Sequence, residues 1–136
     1  DTYLKEGNIT GIKPMLYYPG YIPNTDLPAI YSGASAFIYA SLRESFGIPI
    51  LEAMACGTPV ITSNTSAMPE IAGEKAILIN PTDENEISNK LLQLENDKSF
   101  YDSQVQYGYE RIKLFSWKQT AKNLLNIYQT IGNKQK

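Results

Sequence analysis

Glu44 and Glu52 are the residues in this chain best placed to do chemistry. They lie eight positions apart in Leu42–Thr62, where the only other charged residue is Arg43. Glu52 falls inside Pro49–Cys56, where every other residue is apolar. A carboxylate on a buried helix needs a partner, because an unpaired buried charge is very costly. Two readings are open from the residues alone. Glu52 pairs with a backbone amide or with a basic residue of a neighbouring loop. Alternatively, the helix faces a cleft at its N-terminal end, and Glu52 accepts hydrogen bonds from ligand hydroxyls. Glu44 precedes the helix in a loop that follows a strand. In open α/β sheets ligands bind just outside the carboxyl ends of strands. The free N–H groups of such a loop and of the first helical turn favour an anionic group.

The elements that must position these residues can be read on either side. Ala36–Ala40 is an apolar run of strand length with aromatic and branched residues. Gly47 breaks the chain ahead of a helix, and Pro49 suits its first position. Gly57 sits where a left-handed C-terminal residue is wanted, and Pro59 blocks continuation. The helix is therefore expected over about Pro49–Cys56, apolar on every side and buried. Cys56 reads as a core residue rather than a redox centre. Arg43 reads as a solvated surface charge.

Composition narrows the remaining chemistry. The 136 residues are 43% hydrophobic and 19% charged, as expected of one globular domain with a core. A net charge of −2 gives no sign of general nucleic-acid binding. No apolar run approaches the about 20 residues of a membrane span. No signal peptide opens the chain, so a cytoplasmic location is expected. A single cysteine rules out an intrachain disulfide framework. The lack of histidine excludes Ser-His-Asp and Cys-His chemistry within this chain, and histidine metal sites. The polar start, Asp1–Glu6, reads as the tail of a helix or an artificial boundary rather than a natural start.

Taken in order, Met15–Tyr18 reads as a strand, with Tyr17 and Tyr18 packing. Asp26 is a candidate N-cap for a short helix over Leu27–Gly33. After the central helix come a strand at Val60–Thr62, a small polar loop at Ser63–Ser66, a single helical turn at Glu70–Gly73 and a strand at Ala76–Ile79. Alternating strands and helices predict a parallel sheet with right-handed crossovers. From about residue 83 to 131 the chain reads as helical. Asp83 with Glu86, and Ser116 with Gln119, resemble capping boxes. Ile87, Leu91, Leu92 and Leu94 form one stripe. Val105, Tyr109 and Ile112 suggest a second helix. Ala121, Leu124, Leu125, Tyr128 and Ile131 form a further stripe, before a frayed tail from Gly132 to Lys136. Glu70, Arg111, Tyr101, Tyr107 and Tyr109 read as surface and core residues.

The stretch ESFGIPILEAMACGTPVITS, residues 44–63, resembles the signature of the group-1 (family 4) retaining glycosyltransferases, whose two domains form the GT-B fold. Pro19–Pro23 with Asp26–Tyr31 resembles the segment before that signature. Met68–Gly73 followed by Ala76–Pro81 resembles the segment after it, and Phe115-Ser116-Trp117 is similar to the opening of the family's last helix. The likeness runs over about residues 12 to 131. Ser45 stands where a glycine is common, a mild departure.

The resemblance implies a Rossmann-like parallel sheet with flanking helices, the C-terminal part of a GT-B donor-binding domain spanning residues 1–136. It implies a nucleotide-sugar donor and a saccharide or lipid-linked acceptor in polysaccharide or glycoconjugate assembly. Glu44 would sit by the donor sugar as the catalytic carboxylate, and Glu52 would bind the ribose hydroxyls. A carboxylate accepts two hydroxyl hydrogen bonds at once, which suits a vicinal diol. Ser45 and the backbone amides of Phe46, Gly47 and Ile48 would complete the substrate site. No D-x-D motif is present, in keeping with a metal-independent enzyme without a resident cofactor. The family's acceptor domain and the basic pair that meets the diphosphate fall outside this stretch, so the isolated chain is expected to be inactive. Any peripheral membrane association would belong to that N-terminal domain. A non-catalytic nucleotide-binding module and a GT-B nucleotide-sugar epimerase are the alternatives. The family's sheet order, 3-2-1-4-5-6, would make Met15–Tyr18 strand 3 and leave the edge of Ala36–Ala40 open.

Overall fold

The computed structural model describes Tyr17 and residues 19–133. Three parallel strands form its centre: β1 (Phe37–Tyr39), β2 (Val60–Ser63) and β3 (Ile77–Ile79), in the order β1-β2-β3. Phe37 pairs with Val60, and Ile61 with Ile77. The helices are α1 (Leu27–Gly33), α2 (Ile48–Ala55), α3 (Met68–Ala72), α4 (Glu84–Asn96), α5 (Lys98–Ile112) and α6 (Trp117–Asn133). This is the expected alternation followed by the expected helical segment.

β2 is buried at every position, as a central strand with both faces covered must be. Successive side chains point to opposite faces. Val60 joins a core with Tyr31, Ile50, Met54 and Met68, whereas Ile61 joins Ile77, Ile79 and Leu94 on the other side. β1 is an edge: on its outer side no strand pairs with it among the described residues, and Ile38 is 42% exposed. The strand expected at Met15–Tyr18 lies outside the described residues except for Tyr17. Tyr17 is exposed and in no regular element, so its expected packing is not found.

Local chemistry sets the helix ends, with corrections to the sequence reading. Asp26 occupies the N-cap position of α1, but its side chain makes no capping bond and accepts from Thr25 Oγ1 instead. Asp83 does cap α4, accepting from the N–H groups of Asn85 and Glu86 at 3.0 Å each. The reciprocal half of that box is redirected: Glu86 Oε2 accepts from Asn80 N–H at 2.7 Å. The box at α6 is likewise not closed, because the Gln119 amide donates to Asn123 Oδ1. The apolar stripe of α6 is present but open, with Leu124, Leu125, Tyr128 and Ile131 between 47 and 63% exposed. An unrecognised cap starts α5, where Asp97 accepts from Phe100 N–H at 2.9 Å.

α2 and α5 approach closely because Gly108 is buried against Met54. A Cβ at Gly108 would lie 3.3 Å from Met54 Cβ and 3.5 Å from its Cα. A flexible side-chain end could yield to such a contact; a backbone and its first carbon cannot. Gly108→Val is therefore expected to destabilise the fold by about 1–3 kcal/mol, the usual cost of overpacking, as a lower denaturant midpoint. An unchanged midpoint would show that α2 and α5 are free to separate.

Candidate active site

The loop between β1 and α2 carries Glu44, and side-chain hydroxyls from the carboxyl end of β2 hold it. Thr62 Oγ1 donates to Tyr39 O at 2.9 Å and Ser63 Oγ to Ser41 O at 2.6 Å. Ser66 Oγ donates to Glu44 O at 2.7 Å and accepts from Glu44 N–H at 3.2 Å. Thr62 and Ser63 are fully buried, so each hydroxyl needs such a partner. Ser66 reaches Glu44 from a left-handed conformation, φ 56°, which is uncommon outside glycine.

Tyrosine hydroxyls hold the two carboxylates themselves. Tyr39 Oη donates to Glu44 Oε1 at 2.6 Å, a length typical of a charge-assisted bond. Tyr31 Oη donates to Glu52 Oε2 at 3.2 Å, a longer and weaker contact. The two tyrosines share one aromatic row. Tyr31 meets Phe37 edge-on with ring centres 5.2 Å apart, and Phe37 stacks on Tyr39 at 5.8 Å. Both phenols are pushed up to about 12. The bond to Glu44 is the main cause for Tyr39, followed by burial. Burial is the main cause for Tyr31, followed by the Glu52 charge.

Glu52 thus has a hydroxyl partner, neither the amide nor the basic residue that the first reading called for. Nor is α2 buried on every side. Ile50, Ala53 and Met54 face the core, whereas Ile48, Glu52 and Ala55 form an exposed stripe. Gly47 occupies the N-cap of α2 at φ 95°, ψ 48°, in the left-handed region. Its substitution would be strained, and the new Cβ would lie 3.1 Å from Ile50 Cδ1. In the first turn of α2 Pro49 has no N–H and Ile50 N–H donates to Gly47 O at 3.1 Å, so Ile48 is the residue there whose N–H has no acceptor within the helix, as at any helix start.

Of the six residues singled out from the sequence, five fall at this end of α2 and Glu52 lies one turn further along, and they do not line one cavity. Phe46, Ile48 and Glu52 line an open groove of about 480 Å³ with Leu51, Phe115 and Trp117; Glu44, Ser45 and Gly47 do not. Phe46 meets Phe115 edge-on at 6.2 Å. Tyr31, Tyr39 and Ser66 were missed as supports of the site. The only sequence signal for Ser66 was the small polar loop that ends at it. Arg111 and Tyr107 have the structural role expected of them: Arg111 Nε donates to Ile71 O at 2.9 Å and Tyr107 Oη to Ala72 O at 3.0 Å, closing the end of α3.

A family profile described as "Glycosyl transferases group 1" matches residues 4–111. The chain belongs to the group 1 glycosyl transferases. It is 40% identical over 114 residues to the O-antigen chain mannosyltransferase B of Escherichia coli, covering 84% of this chain and 30% of that protein. It is 30% identical over 123 residues to the MMP alpha-(1->4)-mannosyltransferase of Mycolicibacterium hassiacum, covering 88% of this chain and 30% of that protein. The sucrose-phosphate synthase of Thermosynechococcus elongatus superposes with a TM-score of 0.83 at 28% identity, over 98% of this chain and 33% of that one. The chain therefore spans about a third of the length of these relatives. Its α/β, Rossmann-like architecture is that of a GT-B glycosyltransferase.

The raised phenols make a pH prediction for this group 1 glycosyl transferase. A group whose pKa is higher folded than unfolded stabilises the fold fully below its unfolded pKa. That contribution is lost as pH rises through the folded value. The contribution of Tyr31 and Tyr39 should thus be intact up to about pH 10 and fall away towards about pH 12. Ultraviolet titration should show late-ionising phenols, with one removed by Tyr39→Phe. Loss of an ordinary phenol near pH 10 from that variant would contradict the Glu44 contact.

Proposed function

We propose that this chain forms part of the nucleotide-sugar-binding domain of a retaining glycosyltransferase. The enzyme would move a hexosyl group to a saccharide or lipid-linked acceptor in surface-polysaccharide or glycoconjugate assembly. The observation that carries the reading is the pair Glu44 and Glu52. Glu44 lies in the loop that follows the carboxyl end of β1, held by Tyr39, and Glu52 lies on the exposed face of the helix that this loop feeds, held by Tyr31. Ligand sites in open α/β sheets form at such places. The names of the mannosyltransferase relatives favour a mannosyl donor. None of the relatives named above is an epimerase or a non-catalytic module.

In this reading Glu52 accepts from the ribose diol of the nucleotide. Glu44 touches the donor sugar and is the catalytic carboxylate. Ser45 and the N–H groups of Phe46, Gly47 and Ile48 approach the sugar and the diphosphate, and Gly47 leaves room for that approach. Backbone donors at a helix start offset phosphate charge, so the reading calls for no resident cofactor and no metal. Among the described residues no helix is long and apolar enough to cross a membrane. We place the reaction in the cytoplasm and assign any membrane contact to other parts of a longer protein.

Kinetics of the full-length protein separate the two roles. A ribose contact is made equally in ground and transition states, so Glu52→Gln should raise the donor KM and leave kcat nearly unchanged. A contact beside the reacting centre strengthens as charge develops, so Glu44→Gln should lower kcat. Each loss should be roughly tenfold to a hundredfold, the worth of one hydrogen bond to a charged group. The reverse pattern would refute the assignment.

A further inference from the structure

We propose that Tyr39 and Tyr31 are positioning residues for glycosyl transfer, setting the orientation of Glu44 and Glu52 through their hydroxyls. This rests on the roles given to the two glutamates above. A glutamate side chain in a loop or on an exposed helix face has several rotamers open to it, and fixing one costs entropy. Glu44 is fixed at both ends. Ser66 holds its backbone N–H and C=O, and Tyr39 holds Oε1 at 2.6 Å. A phenol has one proton to give, so Oε2 of Glu44 keeps its lone pairs for ligand hydroxyls.

The tyrosine is a fixed point because its own ring is fixed. Phe37 and Tyr39 lie on one face of β1, two residues apart, and their rings stack. Tyr31 closes the row from α1 and is anchored in turn through its carbonyl, which accepts from the buried Thr58 hydroxyl. One aromatic row therefore joins the hydroxyls that hold the two carboxylates. The two contacts differ in strength. At 3.2 Å the Tyr31 hydroxyl holds Glu52 more loosely than Tyr39 holds Glu44. Both phenols stay protonated at neutral pH and remain donors.

Removing each hydroxyl in the full-length protein tests this, with Phe substitutions that keep the ring row. Tyr39→Phe should lower kcat about tenfold and change the donor KM less than about twofold. Tyr31→Phe should raise the donor KM several-fold and leave kcat nearly unchanged. Loss of folded molecules would lower apparent kcat in both variants and move neither KM. A double-mutant cycle separates positioning from general weakening. In a Glu44→Gln background Tyr39→Phe should have little further effect. A drop of the same size there would overturn the inference. So would wild-type kcat and KM in both Phe variants of an enzyme that Glu44→Gln impairs; in that case the functional reading survives. No transfer by the wild-type protein from any nucleotide hexose would overturn both.

Discussion

The hydroxyl contacts between the carboxyl end of β2 and the β1–α2 loop are the constraint on which the site depends. A loop at the end of a parallel strand has backbone groups that the sheet does not satisfy, and such segments are usually mobile. Here Thr62, Ser63 and Ser66 bind the carbonyls of Tyr39, Ser41 and Glu44. β2 is itself fixed by burial on both faces. Core packing thus locates β2, β2 locates the loop, and the loop locates Glu44. Replacing a buried hydroxyl such as that of Thr62 would remove its bond to Tyr39 O, one of the contacts that join β2 to the start of the loop.

The second constraint is the division of α2 into two faces. Ile50, Ala53 and Met54 seal the core, and Met54 lies against Gly108 at close range. The opposite stripe stays open and carries Glu52. A left-handed residue at Gly47 lets the chain turn from the clamped loop into this helix. The consequence is a helix rigid on one side and accessible on the other, as a binding site on a preformed scaffold requires.

Much of this was legible in the sequence because local rules and burial agreed. The glycines at 47 and 57, the strand-length apolar runs and the Asp83 cap each follow from a few neighbouring residues. The misreadings came where tertiary context decides. Apolar composition could not show that one face of α2 is left open. Glu86 matched a capping box, yet a nearer donor, Asn80 N–H, takes its carboxylate. The stripe of α6 declared an amphipathic helix but not what lies against it. Tyr31 and Tyr39 could not be picked from ten tyrosines, because their significance lies in contacts 21 and 5 residues away.

The central claim is that Glu44 and Glu52 face one bound nucleotide sugar. The most direct measurement is a crystal structure of the full-length protein with a nucleoside diphosphate hexose. The account predicts ribose hydroxyls within hydrogen-bond distance of the Glu52 carboxylate, Glu44 Oε2 against the sugar, and Tyr39 still bonded to Oε1. A ligand bound away from the N-terminus of α2, touching neither carboxylate, would contradict it.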